Sequence, residues 1–429
     1  MMELSKPHHN AYVMDAIKRE LILQRWGVIQ GELMPELRHE LGPLSSKLEA
    51  VIRTLEWVRI EEFIEPSWCG VGRPPHERAW FANAFVAKAV LGIVHTNALI
   101  ERLMMDRALR RICGFSTCKA LPSEASFSRA FEEFSIARLA ERTHEAMIKS
   151  NLGAELIGHL SRDATAIHAR ERTQPSAAPQ GGALSNPTFG EATATLGDID
   201  STEWVESAIA ATVNVNVNAA AATQPTQPKP SPTLKRGRPR RGEVRAAAPL
   251  SPLARQREQS YAQIIGEMPR HCDRGTKCNA QGYKVSWNGY KLHIDTADCG
   301  VPIAAILSSA SMHDSRAAIA LSMLSGERVT HLYDVMDAAY CSSVLREHSR
   351  SLGHVPLIDH NPRAGVKIEF DPAEAVRYHE RTVAERTNAR LKEEFGGNSV
   401  NVKGATKVMS HLMFGVLCLA ADQLMRLQI

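Results

Sequence analysis

The chain has 429 residues, long enough for more than one domain, and its 51 Lys and Arg against 47 Asp and Glu leave a net charge of only +4. That balance excludes a global polycation, so any nucleic-acid surface must be local. The eight cysteines are scattered with no CxxC pair, which argues against a disulfide framework and a zinc ribbon; reduced thiols are expected, with His271, Cys272 and Cys278 the only loose metal-type cluster.

The opening residues, "MMELSKPHHNAYVMDAIKRE", hold no apolar stretch of the signal-peptide type. The longest apolar run, "LMFGVLCLAA" from Leu412 to Ala421, falls short of the roughly twenty residues that span a bilayer, so no membrane partner is expected. Residues 1–155 read as an all-α N-terminal domain. "AWFANAFVAKAVLGIVH" carries apolar residues at helical spacing. A second helix is expected from Thr96, as N-cap, to Gly114, and a third from Ser123, as N-cap, to Gly153. Two capped helices across a turn fit either a helix-turn-helix reader of DNA ends or an ordinary bundle.

Residues 156–170 hold a strand, "LIGHLSRDATAIH", with an acid at its middle. Residues 171–253 are rich in Ala, Pro, Thr, Gln and Asn, bury too little apolar surface to fold, and are expected to be a disordered linker. Inside it lies "KRGRPRRGEVR", in which Arg236, Arg238 and Arg240 flank Gly and Pro. It resembles an AT-hook, an extended peptide for a narrow A·T minor groove, and reads equally as a basic solvated segment.

Order returns over residues 254–429. Tyr290, Leu292 and Ile294 alternate with Lys291, His293 and Asp295, a half-buried strand; "ADCG" turns the chain into the more fully apolar "VPIAAILSSA". Asp314 and Ser315 are expected to cap a helix. "VTHLYDVMDAAY" is a strand ending in acids, a helix ends at Gly353, and "VPLIDHN" is a further strand. Alternating helices and strands after a hairpin indicate a mixed α/β domain.

"YHERTVAERTNARLKEEFGG", Tyr378 to Gly397, is the most crowded charge mixture in the chain. On one continuous helix Tyr378, Arg381, Glu385 and Lys392 fall within an arc of roughly 60° over about 21 Å. Ala384, Leu391 and Phe395 lie beside them, facing the core, with Arg386, Arg390, Glu393 and Glu394 on the solvated side. A helix laced only with salt bridges has no need of that order.

The spacing Tyr378, Arg381, Glu385, Lys392 resembles the Y-R-E-K signature of bacterial insertion-sequence transposases of the IS4/IS5 superfamily. "RDATAI" looks like the family's strand with the first catalytic Asp. "GYKLHIDTADCGVPIAAILSSASMHDS" is similar to its second and third strands, and "VMDAAYCS" to the strand end with the second Asp. The resemblance covers most of the chain outside the linker. It implies an α/β fold: an RNase H-like mixed-sheet catalytic core, preceded by an all-α N-terminal domain and interrupted by a disordered insertion. It departs from the family in the length of that insertion, which loop entropy tolerates, and in Cys341, where relatives often carry Asp.

The implied function is metal-dependent cleavage of DNA and strand transfer at the ends of an insertion sequence. Asp163, Asp337 and Glu385 would be the catalytic acids and hold Mg²⁺ (or Mn²⁺), as two ions. Arg381 and Lys392 would hold phosphates and Tyr378 the displaced end. The implied partners are terminal inverted repeats, target DNA and a second copy of the chain in the DNA complex, in the cytoplasm at the nucleoid. The alternative is a catalytically idle, transposase-derived DNA-binding protein. Among nearby acids, Asp334 would point to the other face of its strand from Asp337, Asp314 reads as a helix cap, and Asp359 has no assigned role.

Overall fold

The structure, a computed structural model, describes residues 43–64, 76–173, 250–278, 281–362 and 366–427. The first helix, α1 (Ser46–Val58), begins where the Ser45 hydroxyl accepts the Leu48 N–H at 3.4 Å. It is followed by α2 (Arg78–Val90), α3 (Thr96–Met105), α4 (Arg107–Ile112), α5 (Glu124–Ile136) and α6 (Leu139–Leu152). Phe81, Phe85, Phe115, Phe127, Phe131 and Phe134 meet between them, mostly edge to face.

Two helices expected to be continuous are broken. Thr96 is the first helical residue and His95 the cap position. Asp106 leaves helical geometry and its carboxylate accepts the Leu109 N–H at 2.9 Å, ending α3 and starting α4. Ser123 does precede α5, but that helix stops at Ile136, and Arg138 adopts a left-handed φ of 51° before α6 begins. The turn lets α6 bury Leu139, Ala140, Met147 and Ile148.

Strand β1 (Leu156–His168) has the bounds read from the sequence. Residues 174–249, most of the expected linker, with Arg236, Arg238 and Arg240, lie outside the described residues. The linker's expected margins are structured: Glu171 accepts the Tyr290 hydroxyl at 2.5 Å, and Pro252 opens α7 (Pro252–Gln256). There follow α8 (Tyr261–Glu267), β2 (Asp273–Cys278), β3 (Lys284–Ala297), β4 (Pro302–Ser309), α9 (Ala318–Gly326), β5 (Thr330–Met336), α10 (Ser343–Ser351), β6 (Val355–Ile358), α11 (Pro372–Tyr378), α12 (Thr382–Glu393) and α13 (Ala405–Leu427).

The sheet runs β2-β3-β1-β5-β6, with β4 also on β3. Pairing is antiparallel among β1 to β4 and parallel for β1 with β5 and β5 with β6, the mixed sheet expected of an RNase H-like core. Helices cover both faces, with α12 against β1 and β3 and α9 against β3 and β4. The expectation that β3 is half-buried is therefore corrected: His293 and Asp295 are fully buried beside Leu292 and Ile294. Burial of those polar side chains is offset by specific partners. Arg162 Nε and Nη2 each reach an Asp295 oxygen at 2.7 Å, Ser325 Oγ donates to Asp295 at 2.7 Å, and His293 meets Ser308 Oγ at 2.8 Å.

Helix α13, at 23 residues, is longer than the ten-residue apolar run suggested and by length and composition alone is able to cross a membrane. It is instead largely buried, with Phe414 against Phe85 and Phe131, and no membrane is indicated. A Cβ on Gly415 would lie 2.6 Å from the Phe395 carbonyl oxygen, so this glycine allows α13 to approach the end of α12.

The buried Arg162–Asp295 pair yields a stability prediction. Asp295→Ala leaves a buried guanidinium without its carboxylate and should cost about 3–5 kcal/mol. Replacing both partners, as Arg162→Met with Asp295→Leu, should recover most of that loss in urea unfolding.

Candidate active site

The parallel register of β1 and β5 pairs Arg162 with Met336. One residue further along, Asp163 and Asp337 fall side by side on the same face, on strands about 4.8 Å apart. Asp337 ends β5, where its carboxylate accepts the Ala339 N–H at 3.0 Å and so starts a turn of 3₁₀ helix. Both aspartates are half-buried. Burial pushes the Asp163 carboxyl up to about 6; the Ala164 N–H opposes this, the Asp337 charge adds to it, and Asn388 and Arg381 oppose it. Asp337 is also raised, first by burial and then by Asp314 and Asp359, against the pull of the Ala339 N–H and Arg381.

The stretch from Tyr378 is not one helix. Tyr378 closes α11, His379–Arg381 tighten into a 3₁₀ turn, and α12 starts at Thr382. The Ser161 hydroxyl donates to the Glu380 carbonyl at 3.2 Å, which ties that turn to β1 beside Asp163. The wheel's core face holds nevertheless: Ala384, Leu391 and Phe395 are buried. Its solvated face needs one correction, because Arg390 is half-buried and reaches Asp422 on α13 at 2.5 Å as well as Glu394 at 2.8 Å.

Arg381 sits at the centre of the charged group. Its guanidinium meets Glu385 at 2.6 Å and lies 5.9 Å from the Tyr378 ring centre. Burial opposes its charge, but Tyr378, Glu385 and Asp163 outweigh that and raise its pKa. Burial pushes the Tyr378 phenol up to about 12, with Arg381 opposing and Asp359, Asp337 and Glu385 adding. Lys392 is lowered by burial and by Lys277, while Asp163 acts the other way. The structure thus brings Asp163, Asp337, Tyr378, Arg381 and Lys392 into one electrostatic neighbourhood. Glu385 belongs to it through Arg381, toward which its half-exposed carboxylate is turned.

Asn388, missed in the sequence, completes the site. Its amide donates to Asp163 Oδ2 at 2.9 Å, and its own Oδ1 is buried without a partner. It lies three residues after Glu385 and four before Lys392, so all three share one side of α12. The neighbouring acids divide as follows. Asp334 is buried on the other face, against His331 and His354, as the strand alternation requires. Asp314 is not a cap: His313 occupies that position, and Asp314 pairs with Lys291 at 2.7 Å. Asp359, bound to Lys367 at 3.3 Å, is near enough to raise Asp337 and Tyr378. His271, Cys272 and Cys278 do not gather, and the cysteines among the described residues are all free. Arg236, Arg238 and Arg240 lie outside the described residues.

Two family models match the chain, one described as "Transposase domain (DUF772)" over residues 36–133 and the other as "Transposase DDE domain" over residues 267–420. Neither curated proteins nor solved structures gave a significant match.

The raised Asp163 carboxyl makes stability depend on pH. The fold holds this proton more tightly than the unfolded chain, whose ordinary value is 3.8, so the contribution is full below about pH 4 and is lost as pH rises through about 6. Asp163→Asn removes the loss. Metal-free protein should gain roughly 1–3 kcal/mol at about pH 8 and nothing near pH 4, measured by urea unfolding.

Proposed function

This chain belongs to the DDE transposases of insertion sequences, metal-dependent enzymes that cut DNA, and on that premise we propose that Asp163, Asp337 and Glu385 are its catalytic acids. The observation that carries the reading is the placement of Asp163 and Asp337 on one face of adjacent parallel strands, where burial and like charge disfavour ionisation of Asp163. A catalytically idle DNA-binding descendant is not favoured by the DDE-domain match. The Tyr378, Arg381, Glu385, Lys392 spacing supports a place for the chain, within the DDE enzymes, in the IS4/IS5 superfamily.

The donor set fits hard cations. Carboxylate oxygens, crowded and half-buried, suit Mg²⁺ or Mn²⁺ far better than thiolate-seeking metals. Asp163 and Asp337 would hold the ions from the sheet and Glu385 from α12. Two such ions supply activation of the attacking oxygen and charge neutralisation at the leaving oxygen of a phosphodiester. The chain's own residues do the rest. Asn388 fixes the orientation of the Asp163 carboxylate through Oδ2. Arg381 and Lys392 bind backbone phosphates, and a phosphate on Arg381 competes with Glu385 and frees that carboxylate to turn toward the aspartates. Tyr378, its phenol kept protonated, packs against or donates to the displaced strand end.

The substrates are the element's terminal inverted repeats and then target DNA. Joining two ends calls for two active sites, hence a homodimer in the DNA complex. Arg236, Arg238 and Arg240 add sequence-tolerant, salt-sensitive affinity for A·T-rich flanks. The protein works at the nucleoid.

Asp163→Ala, Asp337→Ala and Glu385→Ala should each reduce metal-dependent cleavage of a duplex carrying the element end to background, with binding to that duplex retained. A cleaving Asp337→Ala beside an inactive Asp334→Ala would reverse the assignment of the second acid. Arg381→Ala and Lys392→Ala should each lower the slope of log affinity against log salt by about one phosphate contact. Unchanged slopes in both variants return this stretch to an ordinary solvated helix.

A further inference from the structure

Three metal-ligating side chains outside the catalytic group converge at the far end of the sheet. His331 comes from the start of β5, Asp334 from its middle and His354 from the turn entering β6. Their ligand atoms all lie within 4.8 Å of one another, the one such group of three among the described residues. His331 and Asp334 are buried, while His354 keeps a small exposed edge through which an ion has access.

We propose that His331, Asp334 and His354 form a second metal site, for a borderline transition ion of the Zn²⁺ class, separate from the oxygen-lined site of the catalytic acids. His331 Nε2 stands 3.1 Å from Asp334 Oδ1 and His354 Nδ1 3.3 Å from Asp334 Oδ2. Charge-assisted hydrogen bonds are usually shorter, about 2.7–2.9 Å. Ligands of a tetrahedral ion with bonds of about 2.0–2.1 Å stand about 3.3–3.4 Å apart, close to the two imidazole–carboxylate separations seen here. The two imidazole rings are already drawn together, with centres 3.8 Å apart.

Charge argues the same way. Asp334 is buried, yet its hydrogen bonds to the two histidines, with Arg162 behind them, hold its carboxyl well below the ordinary value, so it is an anion. Arg162 has committed both Nε and Nη2 to Asp295 and makes no hydrogen bond to Asp334. The site is thus kept as a ready anion flanked by two imidazoles, the charge a divalent ion needs from its ligands. Two further buried nitrogens, His331 Nδ1 and His348 Nε2, have no partner. His348, on α10, senses the charge of both Asp334 and His354 but stands outside the group of three, so a fourth ligand there would be water.

The donor set separates this site from the catalytic one. Two imidazoles and one carboxylate favour Zn²⁺ or Co²⁺ over Mg²⁺, whereas three carboxylates favour Mg²⁺. An ion here would pin β5 to the entry of β6, three residues from Asp337. The inference does not depend on the catalytic assignment.

The test uses metal-stripped full-length protein titrated with Co²⁺ in a large excess of Mg²⁺. Four-coordinate, imidazole-bound Co²⁺ absorbs visible light strongly, and six-coordinate Co²⁺ among oxygens does so weakly. Wild type should take up one equivalent with the strong spectrum, and one equivalent of Zn²⁺ should displace it and raise Tm. His354→Gln should weaken uptake by roughly tenfold or more, and Asp163→Asn should leave it unchanged. Circular dichroism checks that metal-free His354→Gln is folded. If it is not, X-ray absorption of Zn²⁺-loaded wild type decides, and must find two imidazoles and a carboxylate oxygen. Absence of saturable uptake, uptake unchanged in folded His354→Gln, or uptake lost in Asp163→Asn would overturn the proposal and leave a metal-free Asp–His hydrogen-bond network.

Discussion

Burial of Asp163 and Asp337 side by side, with the Asp337 charge adding to the cost of ionising Asp163, is the constraint around which this site is arranged. Parallel pairing of β1 with β5 puts both carboxylates on one face, half-buried, where neither is readily ionised alone. Every neighbouring feature bears on that strain. Asn388 and Arg381 partly relieve it, and Arg162 and Asp295 clamp β1 to β3 directly behind. Such strain lowers the stability of the empty protein, and cations held there as proposed would relieve it, a familiar exchange of stability for function.

The second half of the arrangement is α12, which has to be held at a fixed distance from β1. Asn388 on Asp163 joins the two directly, the Ser161 hydroxyl on the Glu380 carbonyl at 3.2 Å ties the preceding turn to β1, and the Thr387 hydroxyl on the Gly300 carbonyl at 3.4 Å anchors α12 to the turn between β3 and β4. From behind, α13 supports it through Arg390 with Asp422 and through the close approach at Gly415. The apolar C-terminal helix is thus part of the site's scaffold. The 3₁₀ turn at His379–Arg381 lets Tyr378 and Arg381 leave the α12 axis, while Glu385, Asn388 and Lys392 stay on it.

Much of this was legible in the sequence where local pattern and tertiary role agree. The acid inside "LIGHLSRDATAIH" sits mid-strand as read, and the Ala384, Leu391, Phe395 face is buried. The misreadings share one physical origin, namely partners distant in the chain. His293 and Asp295 looked solvated because the side chains that bond them, Ser308, Arg162 and Ser325, are not neighbours in sequence. Asp106 ends one helix and caps the next, yet its apolar surroundings keep helical spacing through the break. Asn388 falls between the apolar and charged sectors of the wheel, where an amide carries no signal until Asp163 is seen beside it. His331 and His354 are 23 positions apart, and only the β5–β6 pairing unites them.

The central claim is that Asp163, Asp337 and Glu385 hold the catalytic metal, and Fe²⁺ mapping tests it most directly. Fe²⁺ replaces Mg²⁺ on the complex with an element-end duplex, and ascorbate and peroxide then cleave the polypeptide next to the bound ion. Three sets of breaks are predicted, around Asp163, Asp337 and Glu385, all suppressed by excess Mg²⁺ and all lost in Asp163→Asn. Breaks that spare Asp163 and Glu385, or that survive both excess Mg²⁺ and Asp163→Asn, would contradict the account.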